Sequence, residues 1–111
     1  MNRTDLQSCI QACNACALAC EHCASACLQE PHLDAMRRCI QLDRDCADLC
    51  RLAAALMARD SDLAADFCAL CARACRACGE ECARHAHDHC QQCAQACLRC
   101  AEECEGMRQA A

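Results

Sequence analysis

A chain of 111 residues with 16 acidic and 11 basic side chains, net charge −5, suits one domain around one core. Its basic residues form no block, Trp and Tyr are absent and Phe67 is the only aromatic, so no platform for nucleic acid or an anionic membrane is visible. The longest purely apolar run, Leu52 to Ala58, is too short to span a bilayer, and the polar N-terminus precedes no signal-type segment, so a cytoplasmic protein is expected.

The first predicted helix, about residues 4–29, carries Cys9, Cys13, Cys16, Cys20, Cys23 and Cys27 at alternating steps of four and three. That rhythm places all six on one stripe, where a bundle core normally carries Leu, Ile and Val. Alanines flank the stripe and allow close helix approach. Glu30-Pro31 closes the segment.

The second helix, about 31–59, has only three thiols, Cys39, Cys46 and Cys50. Its stripe also holds His32, Met36, Leu42 with Asp43, Leu49, Ala53 and Leu56 with Met57, and reads as the apolar wall of the bundle. Asp60-Ser61-Asp62 offers turn and N-cap chemistry. The third helix, about 62–85, carries Cys68, Cys71, Cys75, Cys78 and Cys82, with Gly79 inside it at a cost of about 1 kcal/mol relative to Ala. The fourth, about 89–105, carries Cys90, Cys93, Cys97, Cys100 and Cys104 with the same spacing. Continuing the third helix from Cys82 to Cys90 would rotate the stripe by roughly 80°, so the chain must turn near residues 85–88. Asp88 with Gln91 reads as a capping box, and Gly106 as a stop. The fold expected is all-α: an antiparallel up-and-down four-helix bundle with a Cys-lined core, spanning residues 1–111 as one unit.

Nineteen cysteines are too many for filler. A disulfide framework is opposed by the compartment, by the odd count, and by i,i+4 Cβ separations of roughly 5–6 Å against the roughly 3.5–4.5 Å a disulfide needs. Thiolates select soft ions: Cu(I), Zn(II) or iron in clusters. The loop-borne compact spacing of iron–sulfur sites is absent. Zinc stays open on spacing, since Cys68/Cys71 and Cys97/Cys100 are Cys-x2-Cys pairs. Charge favours copper: one Cu(I) per thiolate leaves the core near neutrality, whereas tetrathiolate zinc sites each leave −2 in a narrow tube. A Cys-x3-Cys pair, such as Cys16/Cys20, is expected to hold an ion between two sulfurs almost in line.

These stripes, the segment Cys39-Ile40-Gln41-Leu42-Asp43-Arg44-Asp45-Cys46-Ala47-Asp48-Leu49-Cys50 and the run His85-Ala86-His87-Asp88-His89-Cys90 resemble those of bacterial copper storage proteins of the cytosolic type. The resemblance covers nearly the whole chain. It implies reversible storage of many Cu(I) ions per chain and a homo-tetramer, with copper-donating or copper-accepting proteins as further partners. The competing reading is a zinc or cadmium buffer of metallothionein type. No nucleophile–base pair or substrate pocket stands out, so no enzyme is expected.

An up-and-down bundle has two ends. One gathers Leu6, Met57, Leu63, Phe67 and Met107 as an apolar plug. The other gathers the outermost thiols with His32, Met36, His85, His87 and His89, and is the expected mouth for copper. His85 and His89 are expected to extend the thiol stripe, as are Met36 and His32 on the second helix. His87 fits either a ligand or a dipole-complementing surface role, and His22 reads as surface.

Overall fold

The computed structural model describes residues 3–110, with side chains for residues 6–107. Four helices follow one another: α1 (Arg3–Cys27), α2 (Leu33–Ala58), α3 (Ala64–Ala83) and α4 (Asp88–Ala110). Each packs its backbone against its two neighbours, α1 against α2, α2 against α3, α3 against α4 and α4 against α1, and among the described residues the diagonal pairs meet only through side chains. The result is a square up-and-down bundle of 45 × 17 × 17 Å. No described helix is long and apolar enough to cross a membrane.

Small side chains make this narrow square possible. The interior holds cysteines and the alanines Ala12, Ala17, Ala47, Ala53, Ala72, Ala94 and Ala101, with very few larger groups. The expected leucine wall on α2 stands only at its C-terminal end, where Leu56 and Met57 are buried. Leu42 and Leu49 are only half-buried and Leu52 is 39% exposed. Cys39, Asp43, Cys46 and Cys50 occupy the inward line instead, and Leu42 and Leu49 fall one residue off it. Gly79 also has its reason: a Cβ there would lie 3.3 Å from Cys97 Cβ and 3.5 Å from the Ala94 carbonyl oxygen. Removing that Cβ lets α3 and α4 close on one another.

The ends differ from the sequence expectation in instructive ways. α1 stops at Cys27, and 28–30 form a turn in which the Glu30 N–H donates to the Cys27 carbonyl at 3.1 Å. His32 is the exposed N-cap residue of α2 and not part of its inward stripe, because the helix proper begins at Leu33. α2 ends in a Schellman arrangement: Ser61 N–H to Leu56 O at 2.9 Å and Asp60 N–H to Met57 O at 3.1 Å. Asp60 takes the left-handed position at φ 53°, a role usually given to Gly. Ser61 Oγ then accepts the Leu63 N–H at 3.1 Å and starts α3. Gly106 does not end α4, since no described glycine adopts positive φ and the helix runs through it. Gln91 does not reach back to its own helix start. Its amide donates to His85 O at 2.7 Å and Ala83 O at 3.2 Å, tying α4 to the end of α3.

Salt bridges lace the outer surface. Glu21 of α1 pairs with Arg44 and Arg51 of α2, and Arg76 of α3 holds Glu105 of α4 in a two-point contact at 2.6 and 3.2 Å. Exposed pairs of this kind contribute little to stability. At the plug end Met57 and Met107 are buried and Leu6 and Phe67 half-buried, but Leu63 is 53% exposed and takes no part.

Candidate metal centre

The four- and three-residue steps turn every cysteine inward. Eighteen of the nineteen have no exposed surface and Cys68 has 1%. None is in a disulfide. The sulfurs form a continuous column. From the plug end, Cys104 meets Cys9 and Cys13 at 3.7 Å, and Cys100 meets Cys13 at 3.6 Å. Cys50 meets Cys71 at 3.5 Å and Cys75 at 3.7 Å. At mid-bundle, Cys16 touches a thiol from each other helix: Cys46 and Cys97 at 3.7 Å and Cys75 at 3.9 Å. Cys20 meets Cys93 and Cys97 at 3.7 Å, and towards the mouth Cys39 meets Cys82 at 3.4 Å. Quartets whose ligand atoms lie within 4.8 Å of one another recur along the column, among them Cys13/Cys71/Cys100/Cys104, Cys16/Cys46/Cys50/Cys75, Cys20/Cys78/Cys93/Cys97 and Cys23/Cys27/Cys39/Cys90.

The pairs expected to hold an ion in line are already close. Along one helix Cys16/Cys20, Cys46/Cys50, Cys71/Cys75, Cys78/Cys82 and Cys93/Cys97 are each 3.9 Å apart. Two metal–sulfur bonds of about 2.3 Å in line would need about 4.6 Å. The in-line expectation therefore asks each pair to open by about 0.7 Å when an ion enters.

Crowding sets the acid–base character. Cys46, Cys93 and Cys100 are each held far below the ordinary thiol value, because four neighbouring thiols hydrogen-bond to each. Cys50 is pushed up, first by its hydrogen bond to Cys100. At the mouth burial dominates: it raises Cys27 and takes Cys90 up to about 11. Thiolate is the metal-binding form.

Asp43 is the functional residue for which sequence reading gave no role. It is fully buried, accepts from Cys78 at 3.1 Å, Cys93 at 3.2 Å and Cys82 at 3.5 Å on Oδ1, and from Cys39 at 3.8 Å on Oδ2. Burial, then the charge on Cys93, raises its carboxyl to about 8. The signal was present: Cys39, Asp43, Cys46 and Cys50 step by four, three and four, so Asp43 fills a thiol position.

The histidines divide at the mouth. His89 Nδ1 lies 3.4 Å from Cys23 Sγ, 3.5 Å from Cys90 Sγ and 3.9 Å from Cys27 Sγ. His87 stacks on His89, with centroids 5.4 Å apart. His85 does not extend the stripe: α3 has ended at Ala83, and His85 Nε2 pairs with Glu81 at 2.8 Å. Met36 is buried at this end, while His32 and His22 face solvent.

A four-helix bundle whose core is a column of thiols defines a multi-ion store for a soft metal. The family model for copper storage proteins matches residues 2–109, and the chain belongs to that family. It is 52% identical over 81 residues to the uncharacterized cysteine-rich protein YhjQ of Bacillus subtilis, covering 73% of this chain and 75% of that one. The Cu(I)-bound copper storage protein BsCsp3 is similar at 50% identity, with TM-score 0.90 over 94% of this chain and 98% of that one. A cytosolic copper storage protein from Streptomyces lividans, carrying five coppers, is similar at 41% identity, with TM-score 0.93 over 96% and 94% of the two chains.

Proposed function

We propose that this chain stores Cu(I) in the cytoplasm through all nineteen thiols, with Asp43 among them as a buried counter-charge, and that copper passes the His89 end. The observation that carries the reading is the unbroken column of buried sulfurs reaching from Cys104 to His89. The cytoplasmic assignment draws on the Streptomyces lividans relative, described as cytosolic. Copper rather than zinc or cadmium is supported by the Cu(I)-bound neighbour and by charge, since one Cu(I) per thiolate keeps the tube near neutral. Storage is a binding function, and no catalytic step is assigned to the chain. Residues 1–111 act as one unit in this reading.

Titrating the reduced protein with Cu(I) against a competing chelator is expected to end on the order of one ion per thiolate. Saturation at a few ions per chain would defeat the proposal. Zinc displacing bound copper from the folded protein would turn it into the metallothionein-type alternative.

Assembly into a homo-tetramer is supported by a groove of 770 Å³ between α2 and α3. Leu42, Leu49 and Leu70 line it, with Asp45 and Asp48 on the α2 side and Arg73 and Arg76 on the α3 side. A two-fold-related copy would set acid against base across it. Sedimentation of the reduced chain is expected to give a multimer that Leu70→Arg breaks. A wild-type monomer at micromolar concentration would end this part of the reading.

A further inference from the structure

One carboxylate is shared by two stacked imidazoles at the mouth. Glu30 Oε2 lies 3.1 Å from His87 Nδ1, and Glu30 Oε1 lies 3.5 Å from His89 Nε2. The two rings are parallel to within 2°. The far nitrogen of His89, Nδ1, faces Cys23, Cys27 and Cys90. Glu30 is itself anchored on the thiol ladder, since its N–H donates to the carbonyl of Cys27. The turn that ends α1 therefore reaches across to the histidine that looks onto the last thiols of α1.

A neutral imidazole carries one N–H, and only its bare nitrogen can bind a metal. With the proton on Nδ1, His89 would donate to the sulfurs and present no lone pair to an arriving ion. With the proton on Nε2, Nδ1 stands open beside three thiols. Nε2 is buried and has no hydrogen-bond partner among the described residues. A proton there sits in the field of the Glu30 carboxylate 3.5 Å away, a short closure from the hydrogen bond by which carboxylates commonly orient metal-binding histidines. Carboxylate oxygen is a hard donor and a poor ligand for Cu(I), which argues that Glu30 acts through the ring.

We infer that Glu30 is a positioning residue for copper uptake: it holds His89 as the Nε2–H tautomer, leaving Nδ1 open to Cu(I) beside Cys23, Cys27 and Cys90. The inference rests on the mouth reading above. Its contrast is the pair His85–Glu81, which has the same chemistry at 2.8 Å but lies beside no thiol partner among the described hydrogen bonds.

The test compares Glu30→Ala, Glu30→Gln and His89→Ala in the reduced, copper-free protein. Long-range nitrogen–proton NMR correlations of the ring give the His89 tautomer. Stopped-flow transfer from a coloured Cu(I)–chelator complex gives the uptake rate. Glu30→Ala is expected to move His89 towards Nδ1–H and to slow uptake about tenfold, with the final copper per chain unchanged. Glu30→Gln keeps an accepting oxygen and is expected to keep Nε2–H and a rate within about twofold of wild type. An unchanged tautomer in Glu30→Ala overturns the inference, whatever the rate, and so does a changed tautomer with an unchanged rate. His89→Ala loading at the wild-type rate would remove the mouth reading itself. Slow uptake in His89→Ala beside an unmoved tautomer in Glu30→Ala would remove only Glu30.

Discussion

Filling the reduced protein with Cu(I) is expected to raise its thermal midpoint by ~30 °C or more. The metal-free core is weak in apolar area: among the described residues the only fully buried side chains larger than Cys are Met36, Met57 and Asp43. Burying Cys and Ala removes far less surface from water than burying Leu or Ile. Copper adds what the side chains lack. A cluster at Cys16, with Cys46, Cys75 and Cys97 within 3.9 Å, ties all four helices together at one level. A ligand at a hundred times its dissociation constant contributes about 2.7 kcal/mol per independent site. Some four clusters along the tube thus supply about 11 kcal/mol. Each kcal/mol moves the midpoint of a chain this size by roughly 3–5 °C. The unfolded chain also binds copper through its thiols, which trims the gain. Scanning calorimetry under reductant, with and without copper, reads the shift. A change of only a few degrees would mean that the folded tube holds copper no better than the open chain does.

Much of this architecture was legible because thiol spacing is a helical ruler. The steps from Cys9 to Cys27 and from Cys90 to Cys104 placed the stripes, and the phase break between Cys82 and Cys90 placed the last turn. What spacing could not carry was rotation at helix ends and the reach of single side chains. His85 and His89 look equivalent as neighbours of a thiol stripe. The end of α3 at Ala83 leaves His85 to Glu81, whereas His89 begins α4 already turned onto Cys23. Gln91 read as a cap for its own helix, but two carbonyls at the end of α3, those of Ala83 and His85, lay within its reach. The leucines of α2 read as core on hydrophobicity alone. In a square this narrow, only Cys, Ala and one carboxylate fit the central line at mid-bundle, and Leu42 and Leu49 are turned to the flank. Asp43 escaped notice because charged residues are so rarely buried that a lone one in a stripe is read as its edge.

That carboxylate carries the second large effect. In the metal-free protein, replacing Asp43 by Asn is expected to stabilise the fold by ~3–5 kcal/mol at pH 8 and by almost nothing near pH 4. Asp43 is fully buried, with thiols as its hydrogen-bond partners, and burial lifts its carboxyl from 3.8 to about 8. The folded value lies above the unfolded one. The contribution of the protonated form is therefore fully present below about pH 3.8 and is lost as pH rises through about 8. At about 1.36 kcal/mol for each factor of ten in acidity, the full loss is ~5 kcal/mol, reduced where neighbouring thiols turn to donate. Asn keeps the shape and one accepting oxygen and does not ionise. Thiols away from Asp43 titrate alike in both proteins and cancel, whereas those that touch it titrate with it as one cluster. A chain that keeps such a group at a thiol position accepts a weaker empty state. The return is expected on loading, when Cu(I) held by the neighbouring thiols Cys78 and Cys93 balances the buried charge. Loading should accordingly remove the pH slope that separates the two proteins. Denaturant curves for the pair from pH 4 to pH 8, reduced and metal-free, decide the matter: if they run parallel, Asp43 is not held in its neutral form by the core, and its claim to a place in the metal column fails.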